Sequence, residues 1–173
     1  MEKRGFWPLL IIVLLLSSCT QVDRERQGLL ERMGELEPFI YADTVTMLNS
    51  LKAGELMNTY LDFAELYAED TLSPEFLFKA AELAMNLKMP GRSIEVFQLL
   101  LNRYPDHSKA PYSLFMQAFI HENQLNQYDT AKALYQRFVD QYPHHELAGD
   151  ARVSMDFIGL PLDELIKSWE KAE

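Results

Sequence analysis

The chain has 173 residues, 48% of them hydrophobic, a formal net charge of −10 and a single cysteine. That apolar content excludes a largely disordered chain, since enough surface can be buried to offset the entropy of folding. The acidic balance argues against nucleic-acid binding, which needs clustered Lys and Arg against phosphates, and a lone cysteine excludes any intramolecular disulfide.

Glu2-Lys3-Arg4 makes a short, weakly basic head, and Phe6 through Leu16 is an almost unbroken apolar run. At ~1.5 Å per residue this run covers roughly 17 Å, short of a bilayer core of about 30 Å. Its charge, length and position fit a secretory signal over residues 1–18. The signal closes on Leu16-Ser17-Ser18-Cys19, which resembles the lipobox of bacterial lipoproteins. The resemblance implies cleavage before Cys19, lipidation of Cys19 with palmitate-type acyl chains, and attachment to a membrane through them. Thr20 follows, not an aspartate, which in enterobacterial lipoproteins points to the outer membrane. Several acyl chains on one residue give a stable anchor where one would be marginal.

Residues 19–51 hold the tether and an N-terminal helix. Val22, Arg26, Leu29, Met33 and Leu36 recur at steps of three and four, as one helical face does, and Pro38 closes the run. A free tether, a helix docked on the following array and a short coiled-coil seam all fit; a mobile stretch leading into a docked helix is the expectation. Phe39-Ile40-Tyr41 is expected to pack onto the array, with Asp43 or Thr44 capping a turn before a long helix from about Lys52 to Glu69.

Ser73-Pro74 places a capping hydroxyl and then a proline at the first helical position, opening a helix to about Lys88. Met89-Pro90-Gly91 breaks it, and the next helix runs to Tyr104, stopped by Pro105-Asp106. Another spans about Lys109 to Asn123, with Pro111 tolerated in its first turn. One follows from Tyr128 to Tyr142, and one from Glu146 to Ile158 that ends on Gly159, suited to a left-handed cap. Pro161 starts a last helix in which Leu162, Leu165, Ile166 and Trp169 form one apolar stripe. Opposite lie Asp163, Glu164, Lys167, Glu170 and Lys171, so residues 159–173 read as a capping helix.

The stretch Ser93 to Pro105 lies over Ala131 to Pro143 at a spacing of 38 residues, each ending in Tyr-Pro. A fainter echo sets Tyr60, Phe63, Tyr67 and Pro74 over Phe97, Leu100, Tyr104 and Pro111 at 37. A period of that length marks a stacked array whose units bury their apolar faces only against neighbours. The fold class is therefore all-α, a short solenoid of antiparallel helix hairpins over residues 52–158.

Ala81, Ser93 and Phe97 before Pro105, and Ala118, Ala131 and Tyr135 before Pro143, occupy the small, small and aromatic positions of a motif. On these residues the array resembles tetratricopeptide repeats, in which small side chains let the hairpin helices approach closely. Ala80-Ala81 and Gln117-Ala118 stand where that motif commonly has Leu-Gly, and the units are longer than the usual ones. Behind a lipidated cysteine, the pattern is similar to small repeat lipoproteins of the Bacteroidetes type. It is more distantly similar to the repeat lipoprotein of the outer-membrane β-barrel assembly machinery.

That resemblance implies a protein-binding groove lined by the first helix of each unit. Its positions are Phe78, Glu82, Met85 and Asn86 in the first unit, and Tyr112, Phe115, Phe119, Glu122 and Asn123 in the second. Asp150, Val153 and Phe157 are the third set. No Lys or Arg stands among them, so a clamp for a peptide carboxylate is not expected. Phe78, Phe115 and Phe119 read equally as inter-helix core, whereas Phe97, Leu100, Tyr104, Tyr135, Phe138 and Tyr142 read as core, the tyrosines closing helix ends against the next unit.

His144-His145 is an adjacent pair on different faces with no further ligand at metal spacing, and His107 holds the matching loop one unit earlier. A structural role at helix ends is expected, with no metal, cofactor, small-molecule substrate or nucleic acid. There is no glycine-rich phosphate loop or nucleophile elbow. The expected protein is not an enzyme but an envelope adaptor or scaffold that binds a protein or peptide partner in its groove, lipid-anchored at the outer membrane and facing the periplasm. The alternative is an accessory subunit of an outer-membrane assembly, secretion or cell-wall machine, docked through its convex face or N-terminal helix.

Overall fold

The computed structural model describes residues 23–40 and 47–160, and the regular structure among them is helical throughout. Helix α1 covers residues 23–36 and runs into a 3-10 turn at Glu37–Phe39. The rest are α2 (Met47–Leu66), α3 (Ser73–Asn86), α4 (Pro90–Arg103), α5 (Lys109–Asn123), α6 (Tyr128–Gln141) and α7 (Ala148–Phe157). From α2 onward each helix packs on the next along the chain. That nearest-neighbour pattern is what defines a solenoid.

Helix α1 lies antiparallel on α2. Arg26 pairs with Asp70 at 2.7 Å beyond the far end of α2, and Arg32 pairs with Glu55 nearer its start. Met33 and Leu36 are buried beneath it. The array is therefore three stacked hairpins, α1–α2, α3–α4 and α5–α6, followed by α7. Each second helix carries the same buried wedge: Tyr60 and Phe63 in α2, Phe97 and Leu100 in α4, Tyr135 and Phe138 in α6. Small residues sit where the hairpin helices touch, and buried Ser93 donates to the Ala81 carbonyl at 2.7 Å, tying α4 to α3.

Both connections within the matching hairpins turn through a left-handed residue, Lys88 at φ 59° and Asn126 at φ 53°. After α3 the amides of Lys88 and Met89 reach back to the carbonyls of Met85 and Ala84, satisfying the exposed helix end. Gly159 takes φ 74° just past α7, the conformation its type permits most easily.

Three local expectations need correction. Ser73 does not cap α3: it is buried inside the first turn and its hydroxyl donates to the Tyr67 carbonyl at 2.6 Å. Asp70 serves that entry instead, accepting from the Leu72 amide at 2.9 Å. Helix α2 already includes Met47 to Leu51, ahead of Lys52, because nothing between those residues interrupts a helix. Tyr104 closes its helix against the preceding unit, not the next, its hydroxyl donating to the Ala68 carbonyl at 2.6 Å. The second helices of successive hairpins run parallel, so the end of α4 comes to rest beside the end of α2. Tyr104→Phe should cost about 1 kcal/mol in urea unfolding, the usual worth of one such bond.

Cys19, the signal, Tyr41, Asp43, Thr44 and the helix expected from Pro161 lie outside the described residues. Among the described residues no helix is long and apolar enough to cross a membrane.

Candidate functional site

Glu75, Lys79, Glu82 and Asn86 follow one another at steps of four, three and four along α3, which sets them in one stripe. Thirty-seven residues on, Tyr112, Met116, Phe119 and Asn123 form the matching stripe of α5. Helix α3 touches α5 directly, while α4 and α6 make no comparable contact. The first helices thus converge on the inner side of the array and bring the two stripes side by side.

At the α1 end this inner face opens into a cavity of about 320 Å³. Ile40, Leu56, Tyr60, Lys79, Glu82, Leu83, Met85 and Asn86 line it. A second hollow of about 210 Å³ shares Ile40, Leu83 and Asn86 and extends to Phe39 and Ala53. The apolar floor comes from α2 and the turn after α1, and the polar rim from α3.

The charges of this rim differ in their partners. Tyr60 donates its hydroxyl to Glu37 at 2.6 Å, and the Lys79 amine sits 2.9 Å from the same carboxylate oxygen. Those two donors, the tyrosine first, hold the Glu37 carboxyl below its ordinary range. The Lys79 amine also lies 5.4 Å over the Tyr60 ring. Glu82 is half-buried and accepts no hydrogen bond from the other described residues. Burial pushes its carboxyl above the ordinary range, and the pull of Lys109 and Lys79 does not cancel it.

The groove positions expected from sequence divide by orientation. Phe78 is buried, edge-on to Phe97 at 5.4 Å, with the Lys109 amine 4.7 Å over its ring. Phe115 is half-buried against Tyr135 and Phe138, at 5.3 and 5.5 Å, and Glu122 accepts the Tyr135 hydroxyl at 2.8 Å. These three serve the joints between helices. Tyr112 also spans a joint, donating to Glu146 at 2.5 Å and meeting the His145 ring edge-on at 4.8 Å. Met85, Glu82 and Asn86 border the cavity. Phe119 is 38% exposed although apolar, and exposed Asn123 folds its amide back to the Phe119 carbonyl at 3.0 Å. Phe157 is half-buried at the end of α7, with Asp150 and Val153 exposed on the same helix.

The stripe includes a lysine, contrary to the sequence reading. Lys79 belongs there, three residues before Glu82, and stepping back by helical turns from Glu82 finds it. Ile40, Leu56 and Tyr60 carry no such signal, because only the docking of α1 on α2 brings them to α3. Lys79 is already engaged by Glu37.

His107 and His145 do serve helix ends, but at the start of the following helix. Each accepts at Nδ1 from the backbone amide two residues on, at 3.2 Å, Lys109 for the first and Leu147 for the second. His144 points to solvent. Among the described residues no group of three or more His, Cys, Asp or Glu is placed to hold a metal ion.

The ion pairs that hold α1 give a pH dependence. Arg26, hydrogen-bonded to Asp70, keeps that carboxyl below its ordinary range. A carboxyl depressed in the folded state adds stability above its unfolded pKa and loses it as pH falls through the folded one. Asp70→Asn should therefore cost about 1 kcal/mol near neutrality. The gap from the parent chain should close as unfolding is repeated toward about pH 3.

Residues 75–107 and 112–145 match the tetratricopeptide repeat family. No curated protein matches the chain. The matched stretches are the α3–α4 and α5–α6 hairpins, almost to their ends, and the α1–α2 hairpin and α7 extend the same stack on either side. Two hairpins of a short helical solenoid thus match tetratricopeptide repeats, an architecture that typically serves as a scaffold for protein–protein interaction.

Proposed function

We propose that this protein is a lipid-anchored adaptor of the bacterial cell envelope that holds a protein partner along the inner face of α3 and α5. The observation that carries the reading is the character of that face. Phe119 stands exposed in the α5 stripe that matches the α3 stripe of Glu82 and Asn86, which rim an open cavity, while Phe97, Tyr135 and Phe138 of α4 and α6 are buried. Exposed aromatics beside hydrogen-bonding side chains are the usual anchors of protein recognition. Support for the anchor comes from Leu16-Ser17-Ser18-Cys19, and Thr20 favours the outer membrane, with the repeats in the periplasm. The resemblance of the sequence pattern to small repeat lipoproteins of the Bacteroidetes type supports the same reading.

Co-isolation from membranes tests the groove. Phe119→Asp should keep the helical circular dichroism of the parent chain. It should also lower recovery of the partner at least tenfold, as loss of a binding hot spot does. Undiminished recovery would instead favour the convex face or α1 as the docking surface of a larger envelope machine.

A further inference from the structure

Among the described residues, the acidic side chains around the inner face are paired, with one exception. Glu37 has Tyr60 and Lys79, Glu55 has Arg32 and Lys52, Asp70 has Arg26, and Glu75 has Lys109 at 3.7 Å. Glu82 has no such partner, yet it is half-buried at the cavity rim. A carboxylate withdrawn from water without a partner costs folding free energy, and the two amines that act on it, Lys109 and Lys79, are paired with Glu75 and Glu37.

The wall beneath Glu82 is formed by Ile40, Leu56, Leu83 and Met85. An apolar wall ending in a carboxylate suits a side chain with a methylene stem and a cationic head, as in Lys or Arg. On α5 the place of Glu82 is taken by exposed Phe119. Packed helix axes lie about 8–10 Å apart, and an extended chain advances ~3.3 Å per residue. A strand crossing from α3 to α5 would then meet the two positions about three residues apart. Asn86 and Asn123, one turn further along each helix, offer amide groups to its backbone. The net charge of −10 favours approach of a basic segment.

We propose that the groove binds an extended segment of its partner carrying a basic residue, seated on Glu82, and an apolar residue about three positions away, set against Phe119. This rests on the groove reading above and adds the chemistry of its ligand. The partly desolvated Glu82 carboxylate is then kept for the partner at some expense to the free protein.

The test uses blocked synthetic peptides containing Arg-Ser-Ser-Phe, the same peptide with Gln for Arg, and one with Arg and Phe adjacent. Binding is followed by amide NMR shifts of the parent chain and of Glu82→Gln, a variant expected to be at least as stable. The Arg-Ser-Ser-Phe peptide should move the signals of Glu82, Asn86 and Phe119. It should bind the parent chain at least tenfold more tightly than either control, and Glu82→Gln should erase its advantage over the Gln peptide. Failure of that peptide to bind, equal binding of Arg and Gln peptides, or a preference that survives Glu82→Gln would overturn the proposal. Any of these, alongside partner loss in Phe119→Asp, would leave the groove standing and remove only the basic-residue chemistry.

Discussion

Phe97→Ala should cost about 3–5 kcal/mol and loosen the middle of the array. The Phe97 ring is fully buried and edge-on to Phe78, so its removal empties the joint between α4 and α3. The α3–α4 hairpin is the central one, flanked by α2 and α5. Stability in a stacked array is close to a sum of hairpin and neighbour-interface contributions, so a cavity at the centre is felt by the units on both sides. Against a total of about 5–15 kcal/mol for a natural domain, such a loss is severe. Urea unfolding should give a lowered midpoint, and hydrogen exchange should rise in α3, α4 and α5 before α6. Phe97→Leu, which keeps more of the volume, should lose less than half as much. A loss below about 1 kcal/mol for Phe97→Ala would mean that the three aromatic wedges are not the keystones described above.

Cys19→Ser should move the protein from the membrane fraction almost wholly to the soluble one. Each buried methylene is worth about 0.8 kcal/mol, so several long acyl chains hold a protein essentially permanently while none leaves it free. No described helix offers a substitute span, and a net charge of −10 disfavours adhesion to anionic lipid. Fractionation of cells expressing either form, after a high-salt wash, gives the answer. Membrane retention of Cys19→Ser would contradict lipid anchoring through that residue.

The array was legible in the sequence wherever a residue's role is fixed within its own hairpin. The repeat of Phe97 and Tyr135, the small residues at Ala81 and Ser93, and the prolines that begin and end helices all report local packing. The span of α5 follows from its flanking loops alone. What depends on a neighbouring unit was harder to read. Tyr104 reaches backward to Ala68, and Ser73 gives its hydroxyl to Tyr67, because stacking supplies an acceptor that local chemistry does not announce. The same limit applies to the groove. Glu82, Asn86 and Phe119 lie on the expected helix face, but Phe78, Phe115 and Glu122 serve the joints between helices instead. A count from one small residue does not separate the exposed stripe from the adjacent inward one. The cavity itself needed the docking of α1, whose Ile40 and neighbouring Glu37 meet α2 and α3 across long stretches of chain.

Site-specific photo-crosslinking in intact cells is the most direct measurement of the central idea, that the inner face of the stacked hairpins is where a partner sits. A photoreactive residue at Phe119 or Asn86 should trap one discrete adduct, while the same residue at Gln98 or Lys132 on the outer helices should trap none. Adducts from Gln98 and Lys132 alone would contradict the account and transfer the interaction to the convex side.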